Sequence, residues 1–231
     1  MHHSTDLEAW WQLQGEWVEE PNDRRGGCSG VQRITQDGRL LYIKRQTNHT
    51  YRSLLHPLGR PTVLRERDAL LSAAKAGVTV PEIVYCGAER GPEGWRALLV
   101  TVALEGFEPL DTWHANRRHE HYAAALQQQL LQQIASSLAR LHLARRQHGC
   151  LYAKHIFVRI DDTGDGPSCR VALLDLEKSR KRLTSNQAAL HDMLQLRRHS
   201  PWNQKDWQSL IGYYQTAMGR SFQSLDQATR S

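Results

Sequence analysis

The chain of 231 residues is long enough for one domain, or for two small lobes sharing a cleft, and its 40% hydrophobic and 23% charged residues are those of an ordinary globular protein. Its apolar runs fall far short of the roughly 20 residues that cross a bilayer, and no charged-then-apolar leader opens it. The four cysteines, Cys28, Cys86, Cys150 and Cys169, show neither CxxC nor Cys/His spacing for zinc, so reduced thiols and a cytoplasmic residence are the default. A net charge of +6 and a pI near 9.3 suit phosphate or anionic lipid as partner, or describe a merely basic protein. No aromatic stripe interleaved with basic residues marks a nucleic-acid platform, and none is expected.

Residues 1–20 read as an irregular or helical lead-in with a face of Trp10, Trp11 and Trp17. The run Arg25-Gly26-Gly27-Cys28-Ser29-Gly30-Val31 follows; glycines let backbone approach a phosphate and offer it N–H groups, and they equally make a plain hairpin turn. Residues 30–34 and 40–45 flank the turn signal Asp37-Gly38, so they form a hairpin whose second strand ends on Lys44. A lysine there is a phosphate ligand or a solvated edge residue. Two prolines make residues 46–61 a connection.

Residues 62–77 predict a helix with Val63, Leu70, Ala73 and Ala74 on one face and Gly77 as its stop. Glu66, in its first turns, is either a partner for Lys44 or an exposed glutamate. Two strands come next, 80–87 and 95–104, the second apolar enough to be buried. Glu105-Gly106 is a flexible exit between two lobes, and Asp111 is a cap for a short helix. Over residues 122–146 the positions Leu126, Leu130, Ile134, Leu138 and Leu141 recur at helical spacing and predict a long core helix. It delivers the chain to His148-Gly149-Cys150-Leu151-Tyr152-Ala153-Lys154-His155-Ile156-Phe157-Val158, a polar loop running into a strand. A turn at 161–168 leads to Val171-Ala172-Leu173-Leu174-Asp175, a second strand ending in a carboxylate. The acidic turn lacks the spacing of a calcium loop. The last region is helical, and the final dozen residues fray.

The glycine run, the loop from His148 to Phe157 and Leu174-Asp175-Leu176-Glu177-Lys178 resemble the bacterial lipopolysaccharide kinase family, a branch of the protein-kinase-like superfamily. The likeness covers about residues 20–215, and the middle run is the most specific. It implies an α+β, two-lobed, protein-kinase-like fold across residues 1–231. The N-lobe, 20–105, would be a small antiparallel sheet with one helix, and the C-lobe, 106–231, would be reduced and mostly helical. It further implies an ATP- and Mg²⁺-dependent transfer to a sugar hydroxyl of the lipopolysaccharide core. Lys44 would hold the nucleotide phosphates and Glu66 would orient it. Gly26, Gly27, Ser29, Gly30 and Glu105 would line the nucleotide, His155 and Asp175 would be the metal ligands, and Asp192 would brace the loop. Arg24, Arg25, Lys178, Arg180, Lys181 and Arg182 would meet phosphates at the inner leaflet.

The chain departs from the kinase pattern at Cys150, which stands where the catalytic aspartate belongs. A thiol with an ordinary pKa near 8.5 is a poor base at neutral pH unless a neighbour such as Lys154 or His148 lowers it. Phosphoryl transfer rests chiefly on positioning and charge neutralisation, so the substitution is compatible with an active enzyme. It is equally compatible with a pseudokinase that binds nucleotide or a partner without transfer. One branch of the family, the InaA type, is similar in this loop, which makes the cysteine a subgroup habit.

Overall fold

A computed structural model describes residues 3–24, 26–163 and 166–226. The chain divides into two units, Met1–Leu70 with Pro81–Leu104, and Leu71–Val80 with Glu105–Ser231.

The first unit is built on an antiparallel sheet. Helix α1 (His3–Gln12) precedes strands β1 (Glu16–Arg24), β2 (Gly27–Gln36) and β3 (Arg39–Thr47). A short hairpin follows, β4 (Thr50–Ser53) and β5 (His56–Pro61), then helix α2 (Thr62–Lys75), β6 (Ile83–Gly91) and β7 (Gly94–Val102). The order in the main sheet is β1-β2-β3-β7-β6. Its apolar face (Leu41, Ile43, Leu98 and Val100) buries Leu7 of α1, with Trp10 and Trp11 packed alongside. Of the tryptophan-rich lead-in, residues 3–12 are thus a helix lying on the sheet, whereas Trp17, expected in an irregular or helical stretch, already belongs to strand β1. Arg45 ties the helix down by donating to the Trp11 carbonyl at 2.7 Å.

Residues 46–61, read as a connection, contain the β4–β5 hairpin instead. The usual apolar alternation is absent there because Leu54, Leu55 and Leu58 all point outward. Strand β6 begins at Ile83 rather than beside Pro81, which has no N–H to give a ladder. In α2, Val63, Ala69, Leu70 and Ala73 are buried, while Ala74 is exposed. Gly77, at φ +76°, ends that helix, with Val78 N–H reaching back to the Ala73 carbonyl at 3.0 Å.

The second unit, which also counts the last turn of α2, is mostly helical. It comprises β8 (Glu108–Pro109), α3 (Leu110–Ala115), α4 (Ala124–Leu143), β9 (Arg146–Gln147), β10 (Ile156–Thr163), β11 (Gly166–Leu173), β12 (Arg180–Lys181), α5 (Ser185–His199), α6 (Gln204–Met218) and α7 (Gln223–Asp226). Helix α3 starts one residue before Asp111, on Pro109 as its cap, so Asp111 lies in its first turn. All five periodic positions of α4 are buried, Ile134, Leu138 and Leu141 completely, which is why the period of the sequence was so clean. Strands β10 and β11 pair in antiparallel register from Ile156↔Leu173 outward. Positions 164 and 165 of the acidic turn lie outside the described residues, as do Arg25, the side chain of Arg24 and the last five residues. The rest of the C-terminal dozen, expected to fray, instead holds α7, with Leu225 buried. The α+β, two-lobed, kinase-like architecture expected from the sequence is the one observed.

Candidate active site

In the first unit the central feature is an ion pair, Lys44 Nζ to Glu66 Oε2, at 2.8 Å. Both side chains are largely buried, 18% and 10% exposed. Local geometry explains how they meet. Residues 44 and 46 share one face of β3, because side chains alternate along a strand. The Gln46 side-chain oxygen accepts from the Val63 N–H at 3.1 Å and from the Thr62 hydroxyl at 2.9 Å. It thereby occupies donors at the open N-terminus of α2 that no helical carbonyl can reach. His49 Nδ1 closes the cluster on Thr62 Oγ1 at 2.8 Å. One turn further along α2 stands Glu66, aligned with Lys44. Removing either charge would leave the other buried, a cost of about 3–5 kcal/mol.

The glycines of the β1–β2 turn have packing reasons of their own. A Cβ on Gly27 would fall 2.3 Å from the backbone carbon of Asn48, and one on Gly30 would fall 2.8 Å from the Trp17 ring. Gly26, at φ +73°, has nothing within 4 Å of such a Cβ and stands open at the turn. Ser29 accepts from the Gln46 amide at 3.3 Å, tying the turn strand to the residue that caps α2.

In the second unit, the register of β10 and β11 sets the geometry. Pairing Ile156 with Leu173 puts the residue before one strand beside the residues after the other, and Leu174 N–H donates to the His155 carbonyl at 2.9 Å. His155 Nε2 therefore lies 3.3 Å from Asp175 Oδ2. Asp175 has φ 57° and ψ 59°, a left-handed conformation uncommon outside glycine and concentrated at functional positions. Cys150 joins them: one ligand-type atom each from Cys150, His155 and Asp175 all lie within 4.8 Å of one another. The Cys150 carbonyl also accepts from His155 Nδ1 at 2.6 Å. Gly149, at φ +83°, brings this loop so close to the next segment that a Cβ would sit 2.5 Å from the Lys178 carbonyl oxygen.

Helix α5 braces the loop from behind. Asp192 accepts from the His148 and Gly149 N–H groups at 2.5 and 2.9 Å and from His142 Nε2 at 3.1 Å, whose other nitrogen accepts from Tyr214 at 2.7 Å. One turn on, Gln195 accepts from the Leu151 N–H at 2.8 Å and donates to the Tyr152 hydroxyl at 3.1 Å. His148 is fully buried and donates through Nε2 to the Leu174 carbonyl at 2.9 Å, which links the loop to the Asp175 turn.

Burial pushes the Cys150 thiol above its ordinary pKa, against the pull of the Lys178 ammonium. The strongest pull on the thiol comes from Lys178, 3.8 Å from the sulfur, with Lys154, named from the sequence, adding a smaller one; Lys154 is exposed on the short turn Ala153–His155. Glu105 is exposed too, its carbonyl held by Arg159 at 3.1 Å. Gln46, Thr62, Lys178 and Gln195 went unremarked in these roles. The donor set tests the expected metal as well. Asp175 offers the hard oxygen that Mg²⁺ on a nucleotide needs from the protein, whereas the His155 nitrogen and Cys150 sulfur are poor Mg²⁺ ligands.

An antiparallel sheet presenting a lysine to a helix-borne glutamate, with a second unit in which a loop and hairpin bring a histidine to an aspartate, defines a protein-kinase-like protein. The chain belongs to the lipopolysaccharide kinase (Kdo/WaaP) family, whose model matches residues 8–214. It is 40% identical over 210 residues to Protein InaA of Escherichia coli (strain K12), covering 90% of this chain and 95% of that protein. A weaker likeness, 28% over 171 residues and 58% of each chain, links it to the EKC/KEOPS complex subunit BUD32 of Cryptococcus neoformans var. neoformans serotype D. Among solved structures, WaaP in complex with acyl carrier protein matches with a TM-score of 0.69 at 21% identity, covering 90% of this chain and 81% of that one.

Proposed function

We propose that this protein is an ATP-dependent phosphotransferase acting on a sugar hydroxyl of the lipopolysaccharide core at the cytoplasmic face of the inner membrane. The observation that carries the reading is the buried Lys44–Glu66 pair, held by a dedicated cap on α2. A buried pair contributes little to stability compared with apolar packing, so its value lies in the ammonium it aims at an anion. In this reading Lys44 binds the nucleotide phosphates, Glu66 orients it, and Gly26, Gly27, Ser29 and Gly30 offer backbone and hydroxyl donors beside them. Glu105 lies at the nucleotide's edge. Asp175 holds Mg²⁺, with His155 steadying its carboxylate, and Lys154 meets the outer phosphate. Mg²⁺, when bound with ATP, neutralises charge on the phosphate oxygens. The acceptor oxygen bonds to the terminal phosphorus as the bond to the ADP oxygen breaks, and the hydroxyl proton leaves to solvent.

Lys44→Ala is expected to weaken ATP binding ten- to a hundredfold by calorimetric titration, the worth of about 1.5–3 kcal/mol in charged hydrogen bonds. A folded variant with unchanged affinity would refute the reading. The second reading, a nucleotide-binding pseudokinase, is favoured by one observation, the buried thiol at Cys150, whose pKa burial raises.

The membrane side of the proposal draws on the β4–β5 hairpin. Leu54, Leu55 and Leu58 are 102%, 86% and 83% exposed, next to the exposed Arg52, and exposed leucines beside a cation suit an anionic lipid surface. Among the described residues no helix is long and apolar enough to cross a membrane, so the contact would be peripheral. Burying each leucine contributes about 1.5–3 kcal/mol. Replacing all three by serine is therefore expected to lower partitioning onto anionic phospholipid vesicles at least a hundredfold in co-sedimentation. Equal partitioning of wild type and variant would remove the hairpin from the account.

A further inference from the structure

The loop and hairpin bring together three donors that a kinase metal site does not ordinarily combine. His155 Nδ1 donates to the Cys150 carbonyl at 2.6 Å, so in the neutral ring Nε2 carries the lone pair. That lone pair faces a carboxylate oxygen of Asp175 at 3.3 Å. Two acceptors at that distance can share a metal ion between them. The separation is also about what two ligands show on a tetrahedral ion with bonds near 2.0–2.1 Å. A carbonyl gripping the far nitrogen of a ligating histidine is the usual way proteins fix its ring and tautomer. The third donor is sulfur, with its ligand-type atom within 4.8 Å of the other two.

We infer that Cys150, His155 and Asp175 form a three-ligand site for a zinc-class ion in the nucleotide-free protein. One sulfur, one nitrogen and one oxygen suit zinc rather than magnesium, and three protein ligands leave the fourth position open to water or to a phosphate oxygen. Binding replaces the thiol proton, which passes to solvent, so sulfur ligates as thiolate. Lys178, 3.8 Å from the sulfur, is an exposed residue whose ammonium would turn to solvent as the dication binds. Spacing alone hides the site: Cys150 and His155 sit in one loop, while Asp175 arrives only through the β10–β11 register. The binding stands on this geometry. Its consequence rests on the phosphotransferase reading: zinc would occupy the carboxylate that nucleotide-borne Mg²⁺ needs, making this a site of competition between the two ions.

The test is a titration of the full-length, nucleotide-free protein with Co²⁺ as a spectroscopic stand-in. The expected result is a thiolate-to-cobalt charge-transfer band with the intense visible bands of a four-coordinate ion. One equivalent of Zn²⁺ should discharge both, and a large excess of Mg²⁺ should leave them. Cys150→Ser should abolish the charge-transfer band and weaken Zn²⁺ at least a hundredfold, and Asp175→Asn should weaken it at least tenfold. A protein with Cys28, Cys86 and Cys169 all changed to serine should keep the band. Absence of the band from folded wild type, its survival in Cys150→Ser, or its loss in the triple variant would overturn the inference. Because no nucleotide is present, such a failure leaves the ATP titration of Lys44→Ala to judge the phosphotransferase reading separately.

Discussion

Asp175→Ala is expected to abolish phosphoryl transfer, while Cys150→Ala keeps the rate within a few fold of wild type. The contrast follows from what each side chain can supply. Asp175 is half-exposed, 41% for its side chain, and it carries the hard anionic oxygen of the cluster. Its backbone is held in the left-handed region, an arrangement suited to presenting that oxygen to a metal on the phosphates. Cys150 is buried, and burial raises its pKa, away from neutrality. General base catalysis is worth about 10²–10⁴-fold, and a neutral thiol contributes little of that. Turnover on purified core oligosaccharide, with zinc excluded, reads both variants. A loss of 10²-fold or more in Cys150→Ala would instead make the sulfur a thiolate base. Cys150→Asp should raise the rate if the acceptor hydroxyl approaches this position. Silence of both wild type and Cys150→Asp, with ATP still bound, would establish the pseudokinase reading.

The parts of the molecule legible from sequence are those with a period or a sharp transition. Helix α4 announced itself because a single apolar face repeats for twenty residues. Strands β10 and β11 did so because each is apolar and meets a polar loop at one end. Lys44, Glu66, His155, Asp175 and Asp192 could be picked out because a resemblance supplied their places in an order. What stayed hidden depends on register rather than on composition. Gln46 looks like any strand glutamine until β3 and α2 are set at the spacing that turns its oxygen onto the Val63 N–H. Lys178 read as one more charge in a basic run, yet a glycine at 149 lets its backbone come close enough to bring the ammonium to Cys150. The β4–β5 hairpin escaped because its leucines bury nothing within the chain, and a strand without a buried face has no alternation to read.

Asp192→Ala is expected to be the most destabilising single change in the second unit, by about 3–5 kcal/mol, measured as a shift of the urea unfolding midpoint. The carboxylate is fully buried and serves the N–H groups of His148 and Gly149 together with His142 Nε2. Alanine would leave these donors buried with no acceptor, at about 1–3 kcal/mol each before relaxation. Asp192→Asn should recover part of that loss, since its oxygen still accepts on one side, although its amide sets a donor against donors on the other. The same network sets the acid limit of the fold. Burial depresses His148 from the ordinary 6.5 to about 4, although the Asp192 charge opposes the shift. The folded state therefore keeps His148 neutral where the unfolded chain protonates it. Its contribution is complete above pH 6.5 and is lost as pH falls from 6.5 towards 4, on the order of 3 kcal/mol in all. Burial acts to raise the Asp192 pKa, but the His142 hydrogen bond and the neighbouring histidines outweigh it and hold the carboxylate below its usual range. Its own contribution persists through that window and fails only at lower pH. His148→Gln, which keeps a donor for the Leu174 carbonyl and cannot protonate, should flatten the unfolding midpoint between pH 6.5 and 4. A variant whose midpoint still falls with wild-type slope there would place the acid sensitivity elsewhere.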